Sequence, residues 1–189
     1  FSFFPSKNLG AYGDAGFLVT DDDDLADLIR KLRIHGAKPK YYHSMVGYNS
    51  RLDTIQAAVL MVKLKYLPDW HEARRGRAAR YDRLLEDIQQ ITTPFVHEHN
   101  YHIYHQYTLI TKDRDGLKDF LKSREIGIDT YYPLPLHLQD CYKELGYQRG
   151  DLPVSESLSD KVISLPIFPE LTDDEQDFVV ESLKEYYKK

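Results

Sequence analysis

One cysteine, Cys141, is the whole thiol complement of this 189-residue chain. A single thiol forms no intrachain disulfide and leaves no Cys-based metal spacing, so a reducing, cytoplasmic setting is expected. Positive charge is in deficit as well. The formal net charge of -5 argues against a general nucleic-acid-binding surface. The one basic knot, Arg74-Arg75-Gly76-Arg77, reads as the solvated face of a helix. Long apolar runs are missing too. The longest block, Ala57 to Val62, falls far short of the ~20 residues of a membrane span, and no signal peptide is visible. No Gly-x-Ser-x-Gly elbow, Walker A loop or G-x-G-x-x-G stretch occurs, which removes the usual sequence support for a serine hydrolase or a nucleotide-phosphate loop. His102 and His105 fall on opposite faces of a strand, and no Cys, Asp or Glu joins them or His137 at ligand spacing. No metal site is expected.

What is present is an ordinary globular composition, 42% hydrophobic and 29% charged, long enough to bury a sizeable core. Tyrosine is abundant, with 15 residues, and its amphipathic ring suits clefts and subunit contacts. Two apolar runs around Pro5 and Gly10 suggest a hairpin-like opening. Asp21 to Asp24 then start a helix carried by Leu25, Leu28, Ile29 and Leu32 and stopped at Gly36. A loop runs from Ala37 to Asn49. From Asp53 a helix apolar nearly all round is expected to be buried on several sides or to sit in a subunit contact. Pro68 punctuates the chain, and a connector helix over about 69–87 marks a domain boundary, giving domains of 1–68 and 69–189. Beyond it short strands (103–111, 127–132, 162–165) alternate with helices (117–124, 139–145, 154–161). Thr172-Asp173-Asp174-Glu175 is a capping box that opens a last helix with Val179, Leu183 and Tyr186 inward.

Two constellations carry chemistry. Lys7 lies between apolar flanks and Gly10, Gly13 and Gly16. Partial desolvation there would favour a free amine able to form a Schiff base, while the Ser2 hydroxyl could donate to a phosphate. The plain reading is a hairpin with a polar turn. The second constellation is Gly47-Tyr48-Asn49-Ser50-Arg51-Leu52-Asp53, which puts an amide, a hydroxyl and a guanidinium before a helix start, where anions are favoured. The plain reading there is that Asn49 or Ser50 caps the helix.

Six segments in order complete a pattern: Ser2-Phe3-Phe4-Pro5-Ser6-Lys7-Asn8-Leu9, Gly13-Asp14-Ala15-Gly16, Gly47 to Asp53 with Gln56-Ala57-Ala58, Tyr104-His105-Gln106-Tyr107, Tyr131-Tyr132-Pro133-Leu134-Pro135-Leu136-His137, and Leu165-Pro166 with Pro169-Glu170-Leu171-Thr172. From end to end the chain resembles the C-terminal half of the DegT/DnrJ/EryC1/StrS family of pyridoxal-phosphate-dependent sugar aminotransferases. The resemblance implies an α/β fold, the C-terminal part of a fold-type I transferase. Residues 1–68 would end the large cofactor domain, and 69–189 would form a small α+β domain. It also implies that Lys7 binds pyridoxal phosphate as a Schiff base and shuttles the proton of transamination. Ser2 would bind the cofactor phosphate, and Asn49 would reach the phosphate of the neighbouring subunit with Arg51 in the same network. Tyr132 and His137 would lie near the sugar nucleotide. Relatives that act as dehydratases carry histidine at the lysine position, so Lys7 favours amino transfer. Ala15 stands where many relatives have glycine.

The expected function is amino transfer, with glutamate as donor, to a nucleotide-linked keto-sugar in polysaccharide or cell-surface sugar biosynthesis, by a homodimer. The chain opens at Phe1 without an initiator Met. The phosphate loop, the ring-stacking aromatic and the acid at the ring nitrogen are expected upstream, so these residues alone are expected to be inactive. The alternative is a non-catalytic dimerisation or sugar-nucleotide-binding module derived from the same family.

Overall fold

Pro68 lies in the first turn of a 19-residue helix, Leu67–Leu85, where a missing N–H costs nothing. The chain's contacts divide at the same proline, with Phe1–Pro68 forming one compact unit and Asp69–Lys189 the other. The computed structural model describes residues 1–188.

The first unit opens with a narrow antiparallel ribbon. Ser2 pairs with Gly16, Phe3 N donates to Ala15 O and Phe17 N to Phe1 O, each at 2.9 Å. The hairpin-like opening is therefore present as a short bridge, because Pro5 has no N–H to extend the ladder. Helix α1 (Asp23–Leu32) starts at Asp22, whose carboxylate accepts from Leu25 N at 3.0 Å. Asp23 and Asp24 occupy its first turn and Arg30 and Lys31 its last, in the sense the macrodipole favours. The chain then turns through Gly36 at φ 74°. A Cβ there would lie 1.9 Å from Met45 O, so only glycine fits.

Helix α2 (Thr54–Leu64) follows, and Leu60 is its one buried residue. Ile55 and Met61 are 78% and 71% exposed, and Val62 and Leu64 are exposed too. The unit's buried apolar side chains are Ala11, Ala37 and Leu60. Its aromatic and aliphatic side chains outnumber the places it has to hide them.

The second unit holds the core. After α3 (Leu67–Leu85), strands β1 (Ile91–Thr92), β2 (Tyr107–Thr111) and β3 (Val162–Leu165) form an antiparallel sheet in the order β1-β2-β3. Tyr107 stands opposite Leu165 and Leu109 opposite Ile163, and all four are buried. Helices α4 (Arg114–Ser123), α5 (Pro153–Lys161) and α6 (Asp173–Tyr187) complete it. Leu117 and Leu121 of α4 join Val179, Val180 and Leu183 of α6 in one cluster with Ala78, Tyr81 and Leu85 of α3. The expected capping box is present: Glu175 N donates to Thr172 Oγ1 at 3.3 Å, and Thr172 N to Glu175 Oε2 at 2.8 Å.

The structure departs from expectation in three places. Residues 127–132 form no strand; Asp129 alone bridges to Ser164, because the chain leaves β3 towards Pro133 and Pro135. Strand β2 begins at Tyr107 rather than near 103, since Tyr104 takes φ 43° and breaks the extended run. The basic knot is not a uniformly solvated face. Arg74 is buried, with Nη1 donating to Ile167 O at 2.7 Å and to Tyr104 O at 3.2 Å. Burial pushes its guanidinium pKa down from the ordinary value.

That guanidinium ties α3 to the segment before β2 and the segment after β3. Arg74→Leu is expected to destabilise the protein by about 2–4 kcal/mol by leaving buried carbonyls without a donor. Arg75→Leu, at a half-buried position bonded to the exposed His102 carbonyl, is expected to cost about 1 kcal/mol or less. Denaturant unfolding of the two variants checks the pair, and equal losses would contradict the buried tie.

Candidate functional site

Lys7 owes its position to backbone geometry. Its N–H donates to Phe4 O at 2.9 Å, and Ala11 N returns to Phe3 O at 2.8 Å. The turn is so tight that a Cβ on Gly10 would sit 2.3 Å from Pro5 O. The side chain of Lys7 is half-buried, and among the described residues no hydrogen bond or ion pair engages its ammonium. The turn is seated on α2. Tyr12 N donates to Gln56 Oε1 at 2.8 Å, and the Lys63 ammonium donates to Gly10 O while lying over the Tyr12 ring at 5.6 Å. Sequence reading placed Gln56 in a motif without giving it this task, and missed Lys63. A lysine on an apolar helix was the available signal.

Asn49, Ser50 and Arg51 run along the end of α1. Tyr48 N donates to Leu32 O at 2.7 Å and Ser50 N to Arg33 O at 3.0 Å, and Asn49 bridges to Ile34. Gly47 permits the approach, since its Cβ would meet Gly36 N at 2.2 Å. The cap of α2 is Asp53, with no side-chain bond, so neither Asn49 nor Ser50 is spent on capping. Both are exposed, as is Arg51. The returning loop is held by Asp27, which pairs with Lys31 at 2.7 Å and with Lys38. Hydrogen bonds from these two lysines lower its carboxyl pKa to about 2.

Ser2, Asn49 and Arg51 come together on one open groove of about 1100 Å³. Arg30 and Arg33 line it too, with Phe1, Phe17 and Ile29 among its apolar walls. No pattern along the chain announced that Arg30, in the last turn of α1, and Arg33, at its C-terminal cap, would line it. Ser2 is exposed, its Oγ accepting from Phe4 N at 3.3 Å. Lys7 lies on the turn and is not among the groove's lining residues.

In the second unit Tyr132 is 67% exposed, its ring edge-on to Tyr131 at 5.6 Å. His137 is buried instead of open, with Nε2 3.0 Å from Glu156 Oε1. Glu156, one turn into α5, also accepts from Gly150 N at 2.8 and 2.9 Å and from Leu152 N at 3.3 Å. Desolvation alone would raise its pKa, but these hydrogen bonds outweigh it and hold the carboxyl below the ordinary value. Glu156 escaped sequence reading because its partners lie up to nineteen residues away. Among the described residues no group of three or more His, Cys, Asp or Glu could hold a metal ion. No helix there is long and apolar enough to cross a membrane.

The chain matches the model of the DegT/DnrJ/EryC1/StrS aminotransferase family over residues 1–184. It is 51% identical to a "Pleiotropic regulatory protein" of Geobacillus stearothermophilus, covering 100% of this chain and 51% of that protein. It is 40% identical to a dTDP-3-amino-3,4,6-trideoxy-alpha-D-glucose transaminase of Streptomyces venezuelae, covering 98% and 49%. The crystal structure of S. venezuelae DesV in complex with a ketimine intermediate superposes with a TM-score of 0.93 at 39% identity, covering 100% of this chain and 51% of that one. The chain thus spans about half the length of these relatives.

The Asp27 pairing has a pH signature with a definite sign. A carboxyl whose folded pKa lies below its unfolded value contributes stability that is complete above the unfolded value of about 3.9 and is lost as pH falls through about 2. Carboxyl-carbon NMR titration should place Asp27 near 2, with Lys31→Ala moving it upward. A wild-type midpoint near 4 would contradict the pairing.

Proposed function

Because the chain belongs to the DegT/DnrJ/EryC1/StrS aminotransferase family, we propose that it carries the lysine-bearing half of an enzyme that transfers an amino group to a nucleotide-linked keto-sugar. Glutamate is the proposed donor and pyridoxal phosphate the cofactor. The fold is α/β, the C-terminal part of the fold-type I transferases. Residues 1–68 are read as the end of the large cofactor domain and 69–189 as the small domain with its connecting helix. The setting proposed is the cytoplasm, with surface-polysaccharide sugars as products.

The donor set fits the cofactor's phosphate and aldehyde ends. A phosphate takes up hydroxyl, amide and guanidinium donors; Ser2 offers the hydroxyl, and the exposed Asn49 and Arg51 offer the amide and the guanidinium to the phosphate of the partner subunit. An aldehyde needs an amine, and the Lys7 ammonium is half-buried with no competing partner among the described residues. When bound, pyridoxal phosphate supplies a carbonyl that condenses with amines and a ring that accepts an electron pair. Lys7 would hold it through its amine and, at Nζ, would take and return the proton that amino transfer moves. Ser2 would orient the phosphate by a hydrogen bond, while Asn49 would do so for the partner's cofactor with Arg51 contributing charge. Tyr132 presents an exposed ring to the sugar nucleotide, and His137 stands near it on the same segment.

Asn49 and Arg51 are proposed to act across a homodimer. The uncovered face of α2, with Ile55, Met61, Val62 and Leu64 exposed, supports a covered surface there, since each such side chain gains about 1.5–3 kcal/mol when buried. A non-catalytic sugar-nucleotide-binding module is the second reading, favoured only by the regulatory name of the Geobacillus relative. It gives Lys7 no task.

The observation that carries the proposal is the uncommitted Lys7 amine on a closed turn. Native protein mixed with pyridoxal phosphate should develop a yellow band that borohydride traps. Lys7→Ala should lose the band and lower turnover by at least about a thousandfold. The 189 residues alone should give no stable band. A full-strength band in Lys7→Ala, or in these residues by themselves, would overturn this reading.

A further inference from the structure

The segment between Asp129 and α5 has little to hold it. It contains two short 3-10 turns, Leu136–Leu138 and Asp140–Leu145, and every residue from Asp140 to Ser155 is exposed. Pro135 and His137 are its buried residues between Tyr131 and Ser155. The loop and turn hydrogen bonds within it are local: Tyr142 N to Gln139 O, Gly146 N to Lys143 O, Gln148 N to Asp151 Oδ2. A loop with so few buried contacts is ordered only if something joins its ends.

One carboxylate does so. Glu156 receives His137 from the entry of the loop and Gly150 and Leu152 from its exit. We propose that Glu156 is the positioning residue of the sugar-nucleotide loop. It fastens residues 137–150 at both ends and sets the His137 ring. This rests on the reading above, in which Tyr132 and His137 stand at the substrate. A helix cap alone accounts for the bond from Leu152 N at the start of α5, but leaves unexplained why a histidine nineteen residues away is buried against the same oxygen.

The chemistry of the pair is directional. A carboxylate oxygen only accepts, so His137 Nε2 carries the proton. In the neutral ring the lone pair then lies on Nδ1, which has no hydrogen bond among the described residues. Fixing one ring nitrogen in this way determines what the other can do, as it does for histidines held by a second carboxylate at metal sites. Nδ1 is the ring nitrogen left to meet a hydroxyl, the group a sugar ring offers. Leu136, Tyr142, Leu145 and Tyr147 are exposed on the same loop, so the segment presents aliphatic and aromatic surface beside that acceptor.

The test uses the native protein with Glu156→Ala and Glu156→Gln, and UDP and dTDP as probes. Without any ligand, Glu156→Ala should speed amide exchange in 137–152 by at least about tenfold and leave 1–20 unchanged. Binding of the better nucleotide should weaken by about fivefold or more. The donor half-reaction, followed by the cofactor's absorbance on adding glutamate, should stay within about twofold of wild type, as expected when only sugar-side positioning is lost. Glu156→Gln, whose amide oxygen still accepts, should restore most exchange protection, and nitrogen-15 NMR should show His137 held in the Nε2–H form in wild type and in Glu156→Gln but not in Glu156→Ala. Unchanged exchange in 137–152, or a donor half-reaction that falls as far as nucleotide binding, would overturn the positioning role. If the wild-type protein takes up no cofactor, the aminotransferase reading fails, while the exchange and nucleotide measurements still decide the role of Glu156.

Discussion

The chain reversal that pairs Phe1–Phe3 with Ala15–Phe17 is the constraint on which the proposed chemistry depends. Four backbone hydrogen bonds, all between 2.8 and 2.9 Å, close it, and Gly10 is packed so closely on Pro5 that no side chain fits. A lysine on a free loop would sample many positions. Here the turn has one available shape, and Gln56 and Lys63 bind it to α2. Lys7 is therefore presented by rigid backbone, as a nucleophile must be if its amine is to meet a carbonyl at a defined point.

The two units solve the burial problem differently. The second owns a continuous core, and its polar groups are arranged to serve it: Arg74 answers buried carbonyls, and Tyr81 OH donates to Pro166 O at 3.0 Å. Desolvation, followed by the hydrogen bond to Asp82, drives the Tyr107 pKa far above its ordinary range, so that hydroxyl stays protonated and donates to Asp82. The first unit has local hydrogen bonding without comparable apolar burial. Such a patch marks a surface that works when covered, and it adjoins the segment that carries Asn49 and Arg51.

Local rules made much of this legible. The acidic run Asp21 to Asp24 and the capping box at Thr172 announced helix starts, and the structure has α1 and α6 beginning there. The end-to-end motif pattern indicated the family, which the comparison bears out. The misses are nonlocal. Arg74 looked like a surface charge because the carbonyls that hold it come from residues 30 and 93 positions away. Residues 127–132 have strand composition, yet only Asp129 pairs with β3 before the chain reaches Pro133 and Pro135. Glu156 gave no pattern at all. Its meaning arises from His137 and Gly150 converging on one carboxylate, and periodicity along a chain does not report convergence.

Lys7 remains the residue on which the proposed chemistry turns. The most direct measurement is to treat the native protein with pyridoxal phosphate and borohydride, digest it, and locate the pyridoxyl group by peptide mass spectrometry. A single pyridoxyl group on the peptide containing Lys7 is predicted. Label on another lysine, or spread over several with Lys7 unmodified, would contradict the assignment.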